Sequence, residues 1–261
     1  MLNILLNPDT WLAFLTLVFL EIVLGIDNII FLSILSAKAP EGQQARVRNI
    51  GLIVAMLGRI GLLFGVSLLI KLTRPLIEVR TEVVSFTING QSIIIMLGGL
   101  FLLYKSVSEI HHKLEEKDEA IPRIKSTASR IGGIIVQILL LDLVFSIDSV
   151  LTAVGMVSFA EFGYAGAMGI MVTAVVVTVG VMIFFSGPVS RFVNGHPTVQ
   201  MLALAFLILI GVTLLVEAGH LAGLTVMGNQ ISEIPKGYIY FAIAFSLGVE
   251  MLNLRMKKIK N

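Results

Sequence analysis

The chain has 261 residues, of which 56% are hydrophobic and only 14% charged, with a mean hydropathy of +0.95. No water-soluble core hides that much apolar surface, so the composition belongs to an integral membrane protein in contact with the lipid bilayer. A net charge of +2 argues against nucleic acid as a partner, and the absence of cysteine excludes disulfides, thiolate metal sites and thiol catalysis.

Residues 1–7 carry no basic region and run straight into apolar sequence, so a cleaved signal peptide is not expected. Seven stretches then reach the roughly 20 residues a helix needs to cross a hydrocarbon core. They fall near 11–37, 50–70, 92–110, 131–157, 164–186, 198–216 and 237–254. The expected fold is all-α, a polytopic membrane protein with seven transmembrane helices. In the second span Gly51, Gly58 and Gly65, with Gly61-x-x-x-Gly65, form rows of small residues that let helices pack closely. The third is the least apolar, because Lys105 and Glu109 lie in its second half.

Lys and Arg orient these spans. The loops after spans 1, 3 and 5 and the C-terminal tail carry 13 of them, against 4 on the other side (Lys71, Arg74, Arg80 and Lys236), while Arg59 and Lys105 lie within spans. The positive-inside rule then puts the N-terminus outside and the C-terminus in the cytoplasm. On that topology the polar stretch 108–130 is a cytoplasmic connector.

Two spans place acids deep in apolar sequence at one spacing. Leu20-Glu21-Ile22-Val23-Leu24-Gly25-Ile26-Asp27-Asn28 and Leu141-Asp142-Leu143-Val144-Phe145-Ser146-Ile147-Asp148-Ser149 each read acid, five residues, Asp, small polar residue. A shift of 121 residues superimposes Glu21 on Asp142, Val23 on Val144, Ile26 on Ile147 and Asp27 on Asp148. Weaker matches extend the repeat. Spans 2 and 5 lead to Pro75 and Pro188; spans 3 and 6 share Phe101-Leu102 and Phe206-Leu207, followed by Glu109-x-x-His112 and Glu217-x-x-His220. Each repeat holds an odd number of spans, so the second must enter the membrane from the opposite side, a plan that places sites near the midplane. The organisation expected is a single membrane domain over 1–261: repeat one at 11–110, a linker at 111–130, repeat two at 131–217 and an additional helix at 237–254.

A carboxylate at the centre of a bilayer-length helix costs about 2.5–3.5 kcal/mol even on the insertion scale, so four of them need compensation. A cation is the obvious partner. Carboxylate, amide and hydroxyl oxygens without thiols suit Mn²⁺, Mg²⁺ or Ca²⁺ and disfavour Zn²⁺ and Cu⁺. The alternative is internal pairing with Arg59 and Lys105, which neutralises two of the four acids. Six residues of helix leave the two acids of one motif about 120° and about 9 Å apart, so aiming both at one ion requires local unwinding. Gly25 and Ser146 are where that break would fall. Otherwise Asp27 and Asp148 form the central site, with Glu21 and Asp142 as a gate or second site. Glu217 and His220 read as surface residues or an outer metal vestibule, and Glu250 and Asn253 as an interfacial pair.

These motifs, with Leu20–Leu32, 140–150 and Pro235-Lys236-Gly237-Tyr238-Ile239-Tyr240-Phe241-Ala242, closely resemble the TerC family, in its short YgdQ-like bacterial inner-membrane branch. The resemblance covers nearly the whole chain. It implies a lysine-exporter type of membrane fold and, from members linked to manganese efflux, metal residues at Glu21, Asp27, Asn28, Asp142, Asp148 and Ser149. One departure is that similar proteins often carry a charged Arg-Asp or Lys-Asp pair entering the third span, where this chain has Asn89-Gly90-Gln91-Ser92.

The function expected is a secondary transporter that exports a divalent cation, manganese first, in exchange for protons, since no nucleotide-binding motif is present. No permanent cofactor is expected; Mn²⁺, or Ca²⁺ or Mg²⁺, is cargo. The alternative is a membrane-embedded assembly or metallation factor that binds metal and partner proteins without net transport. A retinal receptor is excluded by the lack of lysine in 238–254, and an intramembrane enzyme by the lack of a Ser-His pair or His-Glu-x-x-His in a span. The expected location is the bacterial inner membrane, with a homo-oligomer compatible.

Overall fold

A computed structural model describes residues 8–40, 42–66, 71–81, 83–115 and 127–260; the side chains of Ile26, Asp27, Asp148, Ala160, 127–130 and 257–260 lie outside the description. Among the described residues, seven helices are long and apolar enough to cross a membrane. They are α1 (Pro8–Ser36), α2 (Gln44–Phe64), α3 (Gly90–Glu115), α4 (Thr127–Met156), α5 (Phe159–Gly195), α6 (Pro197–Leu221) and α7 (Lys236–Lys260). Each coincides with an expected span. Of the expected linker, 116–126 lies outside the described residues, and helix covers both flanks.

Two expectations about secondary structure need correction. The chain is not purely helical: β1 (Pro75–Arg80), β2 (Val84–Asn89), β3 (Thr225–Val226) and β4 (Asn229–Gln230) form an antiparallel sheet in that order. The run Val84-Ser85-Phe86-Thr87-Ile88 has the alternation and the β-branched and aromatic content of a strand. At β3–β4, Met227 (φ 52°) and Gly228 (φ 80°) are both left-handed, which matches a two-residue hairpin turn to strand twist. The second correction is that α5 runs through Pro188 to Gly195 instead of ending near 186. A proline removes one backbone donor, and transmembrane helices tolerate that loss where neighbouring groups compensate. The irregular point of α5 is Gly163, whose φ of 64° breaks the helical path near its start.

The chain packs as two compact units. The first contains α1, α2, α4 and α5. There α1 and α4 run antiparallel, because Asn28 reaches Asp142 while Leu17 and Glu21 adjoin Val150 and Ala153. Helix α2 runs with α4: a Cβ on Gly51 would lie 2.9 Å from Ile138 Cδ1, and eight residues on, Arg59 meets Asp142. Along α5, Met171, Ala174 and Met182 follow Leu17, Glu21 and Gly25 of α1. Arg48 donates from Nε to Ser186 Oγ at 3.0 Å, fastening the start of α2 to α5.

The second unit contains α3, α6, α7 and the sheet. Helices α3 and α6 are antiparallel: Asn89 Nδ2 donates to the Leu221 carbonyl at 2.9 Å at one end, and Lys113 pairs with Gln200 at the other. Midway they touch backbone to backbone, since a Cβ on Gly99 would lie 2.9 Å from the Gly211 carbonyl oxygen. Asn89 also caps α3. Its Oδ1 accepts from the Ser92 N–H at 2.7 Å, while Ser92 Oγ accepts from the Asn89 N–H at 3.2 Å, a reciprocal capping pair. Of the α2 glycines, Gly51 serves close packing and Gly58 makes ordinary contact with Leu139, whereas Gly61 faces open space and Gly65 meets only carbonyls of its own helix. The expected Gly61–Gly65 packing row is therefore absent among the described residues.

Candidate functional site

Glu21 sits midway along α1, Asp142 midway along α4, and Arg59 in the last third of α2. All three are buried, at 3%, 8% and 4% exposure. Arg59 occupies the buried stripe Val47, Gly51, Ala55, Arg59, Leu63 of α2, spaced four residues apart, so the contact that seats Gly51 on α4 also delivers the guanidinium to Asp142. Arg59 Nε stands 3.2 Å from both Asp142 carboxylate oxygens, Nη2 donates to Oδ1 at 2.6 Å, and Nη1 donates to Glu21 Oε2. One planar guanidinium thus bridges the first acids of both motifs, the fork geometry that suits arginine to carboxylates.

The two acids differ in their remaining surroundings. Asp142 also accepts from Ser146 Oγ at 3.1 Å and from Asn28 Nδ2 at 3.4 Å. Glu21 borders a narrow void whose other walls are Leu17, Leu63, Val150, Ala153, Met171, Ala174 and Val175. Among the described residues, two carboxylates thus share one guanidinium in a largely apolar pack.

Of the sequence-predicted residues, the structure brings Glu21, Asp142 and Asn28 together. Ser149 turns to its own helix, its Oγ donating to the Ser146 carbonyl at 3.3 Å. The side chains of Asp27 and Asp148 lie outside the described residues, and among those that are described no three of His, Asp and Glu gather closely enough to hold a metal. The expected unwinding at Gly25 and Ser146 does not occur: α1 and α4 are continuous through both. Gly25 instead makes room for Met182, whose Cε a Cβ there would strike, and Ser146 spends its hydroxyl on Asp142 one turn back. Among the described residues, Arg59 pairs with acids of the motifs, whereas Lys105 pairs with Glu109 at 3.0 Å along α3. His220 Nδ1 stands 3.0 Å from the Ile231 carbonyl. Glu250 accepts from Thr198 Oγ1 at 2.5 Å and Asn253 Nδ2 at 3.3 Å, so it fastens α7 to α6. Sequence reasoning weighed Arg59 as an internal partner of the acids but not that one guanidinium joins both motifs; the available signal was its place on the α2 stripe one or two turns from Ala55 and Gly51.

Seven apolar helices with a charge network turned inward, away from lipid, define a polytopic membrane protein with a polar site in its helix pack. The chain belongs to the TerC family of integral membrane proteins, whose model matches residues 6–261. It is 45% identical over 252 residues to the UPF0053 inner membrane protein YgdQ of Escherichia coli K12, covering 97% of this chain and 95% of that one. A UPF0053 protein of Haemophilus influenzae is 43% identical over 253 residues, 97% of either chain. The UPF0053 inner membrane protein YoaE of E. coli K12 is 41% identical over 97% of this chain but 44% of its own greater length. No solved structure matches. The protein is a multi-pass protein of the inner membrane, and none of these relatives' names denotes an enzyme.

Proposed function

We propose that this protein is a secondary transporter that exports a hard divalent cation, manganese, in exchange for protons. The observation that carries this reading is the meeting of Glu21 and Asp142, from two different helices, at one buried cation inside the first unit. A site that already holds a guanidinium between two carboxylates has the charge and the oxygen donors that a divalent ion requires, with Asn28 and Ser146 beside Asp142. The repeats add Asp27 and Asp148 six residues on, enough carboxylates for a full exchange of a divalent ion against protons. The antiparallel courses of α1 against α4 and of α3 against α6 are what two inverted repeats would produce, and inverted repeats are a transporter plan. Manganese among the hard ions rests on the family resemblance.

The test is flux into sealed vesicles containing the purified full chain, with Mn²⁺, Mg²⁺ and Ca²⁺ compared under an imposed pH gradient. Mn²⁺ movement that follows the gradient, and proton release on Mn²⁺ binding in weakly buffered medium, are expected. Mn²⁺ binding without flux or proton release would overturn the transporter reading in favour of an assembly or metallation role.

A further inference from the structure

We propose that Arg59 is a tethered counter-cation: it bridges Glu21 and Asp142 when no substrate ion is bound, and an arriving ion takes its place on Asp142 while Glu21 keeps it. This inference rests on the transporter reading and adds to it the step by which part of the empty site's negative charge is offset. Three observations lead to it.

The first is position. The guanidinium lies between the two carboxylates, bonded to both, where an ion shared by them would sit. A divalent ion needs oxygens at about 2.0–2.6 Å, and those oxygens are the ones Arg59 holds, so binding is a displacement rather than an addition. Mutual repulsion between guanidinium and metal at that range enforces the exchange.

The second is the asymmetry of the two acids. Asp142 has Asn28 and Ser146 within hydrogen-bonding reach, and the amide oxygen and the hydroxyl of those side chains can complete an ion's shell. Glu21 borders a void whose other described walls are apolar, so among the described residues the extra oxygen ligands lie beside Asp142. The ion therefore belongs on the Asp142 side, and Glu21 is the place where Arg59 stays.

The third is where the arginine comes from. Arg59 is carried by α2, while the acids belong to α1 and α4, so a shift of α2 along Gly51 and its stripe moves the cation relative to both acids without altering the motif helices. A carrier must change conformation once with its ion and once without. Without it, two bare carboxylates in the bilayer would oppose the return step, and Arg59 removes one of those charges.

The experiment compares the reconstituted full chain with Arg59→Gln and Arg59→Lys, using radiolabelled Mn²⁺ alone and the same pH gradient throughout. Two fluxes are read: Mn²⁺/Mn²⁺ exchange, in which the site never returns empty, and net efflux into Mn²⁺-free medium, in which it must. Arg59→Gln is expected to bind Mn²⁺ about tenfold or more tightly, to keep exchange, and to lose net efflux by about tenfold or more. Arg59→Lys keeps the charge but loses the fork, so it is expected to bind Mn²⁺ more tightly than wild type by a smaller factor and to retain net efflux. Equal loss of both fluxes in Arg59→Gln, or net efflux untouched, overturns the role of Arg59 alone. If Arg59→Gln fails to insert, Arg59→Lys decides: Mn²⁺ affinity no tighter than wild type overturns the proposal. Wild-type protein without Mn²⁺ flux overturns the transporter reading and this inference with it.

Discussion

Replacing Arg59 with leucine tests how the membrane core tolerates its charges. The substitution strips the cation from two acids that are 3% and 8% exposed. Asp142 retains Ser146 and Asn28, but Glu21 is left against Leu17, Leu63, Val150, Met171 and their neighbours. Removing one partner from a buried ion pair costs about 3–5 kcal/mol, because the other charge stays desolvated. For a chain of this size that corresponds to a fall in Tm on the order of 10 °C. Neutralising the whole set is a different perturbation: Arg59→Leu with Glu21→Gln and Asp142→Asn removes all three of these charges and should recover most of the loss, since replacing an entire buried ion network is often near neutral. Thermal unfolding in detergent, followed through the single tryptophan Trp11, provides the measurement. Arg255→Leu on the exposed end of α7 is the control. The reasoning fails if Arg59→Leu is no less stable than that control, or if the triple variant is as unstable as the single one.

Gly99→Val should break the α3–α6 seam, because its new Cβ would press on the Gly211 backbone oxygen, which cannot rotate away, whereas Gly61→Ala should be neutral or stabilising by up to about 1 kcal/mol; relative thermal stability separates the two. Asp27→Asn and Asp148→Asn should each abolish Mn²⁺ flux in vesicles while the protein stays folded and inserted, and retained flux in either would rule out a central pair of aspartates. Reporter fusions should place the N-terminus outside and the C-terminus in the cytoplasm, following the 13 basic residues on one side against 4 on the other; a cytoplasmic N-terminus would remove the basis for opposed repeats.

The seven helices were legible because spanning a bilayer demands length and apolarity together, and both can be read directly from residue order. The sheet was not. Its strands run from two to six residues, and the β3–β4 hairpin joins the sheet only through β2, well over a hundred residues away in the chain. The continuation of α5 through Pro188 was hidden for a related reason, since whether a proline ends a helix depends on which neighbours surround it. The acids themselves stood out by their cost in apolar sequence, and the shift of 121 residues paired the motifs of α1 and α4, two helices that pack against each other. Residue order left two arrangements open, and the one that aims both acids of a motif at one ion called for a break at Gly25 and Ser146 that the continuous helices do not make. Packing removes that demand by another route. Gly51 lets α2 settle against Ile138 of α4, and two turns later the same stripe carries Arg59 between Glu21 and Asp142, so acids from two helices converge on one cation and neither helix has to unwind. Residue order shows which buried charges need neutralising. Which group neutralises them follows from the distance between α2 and α4, and that distance is set by a glycine two turns before Arg59.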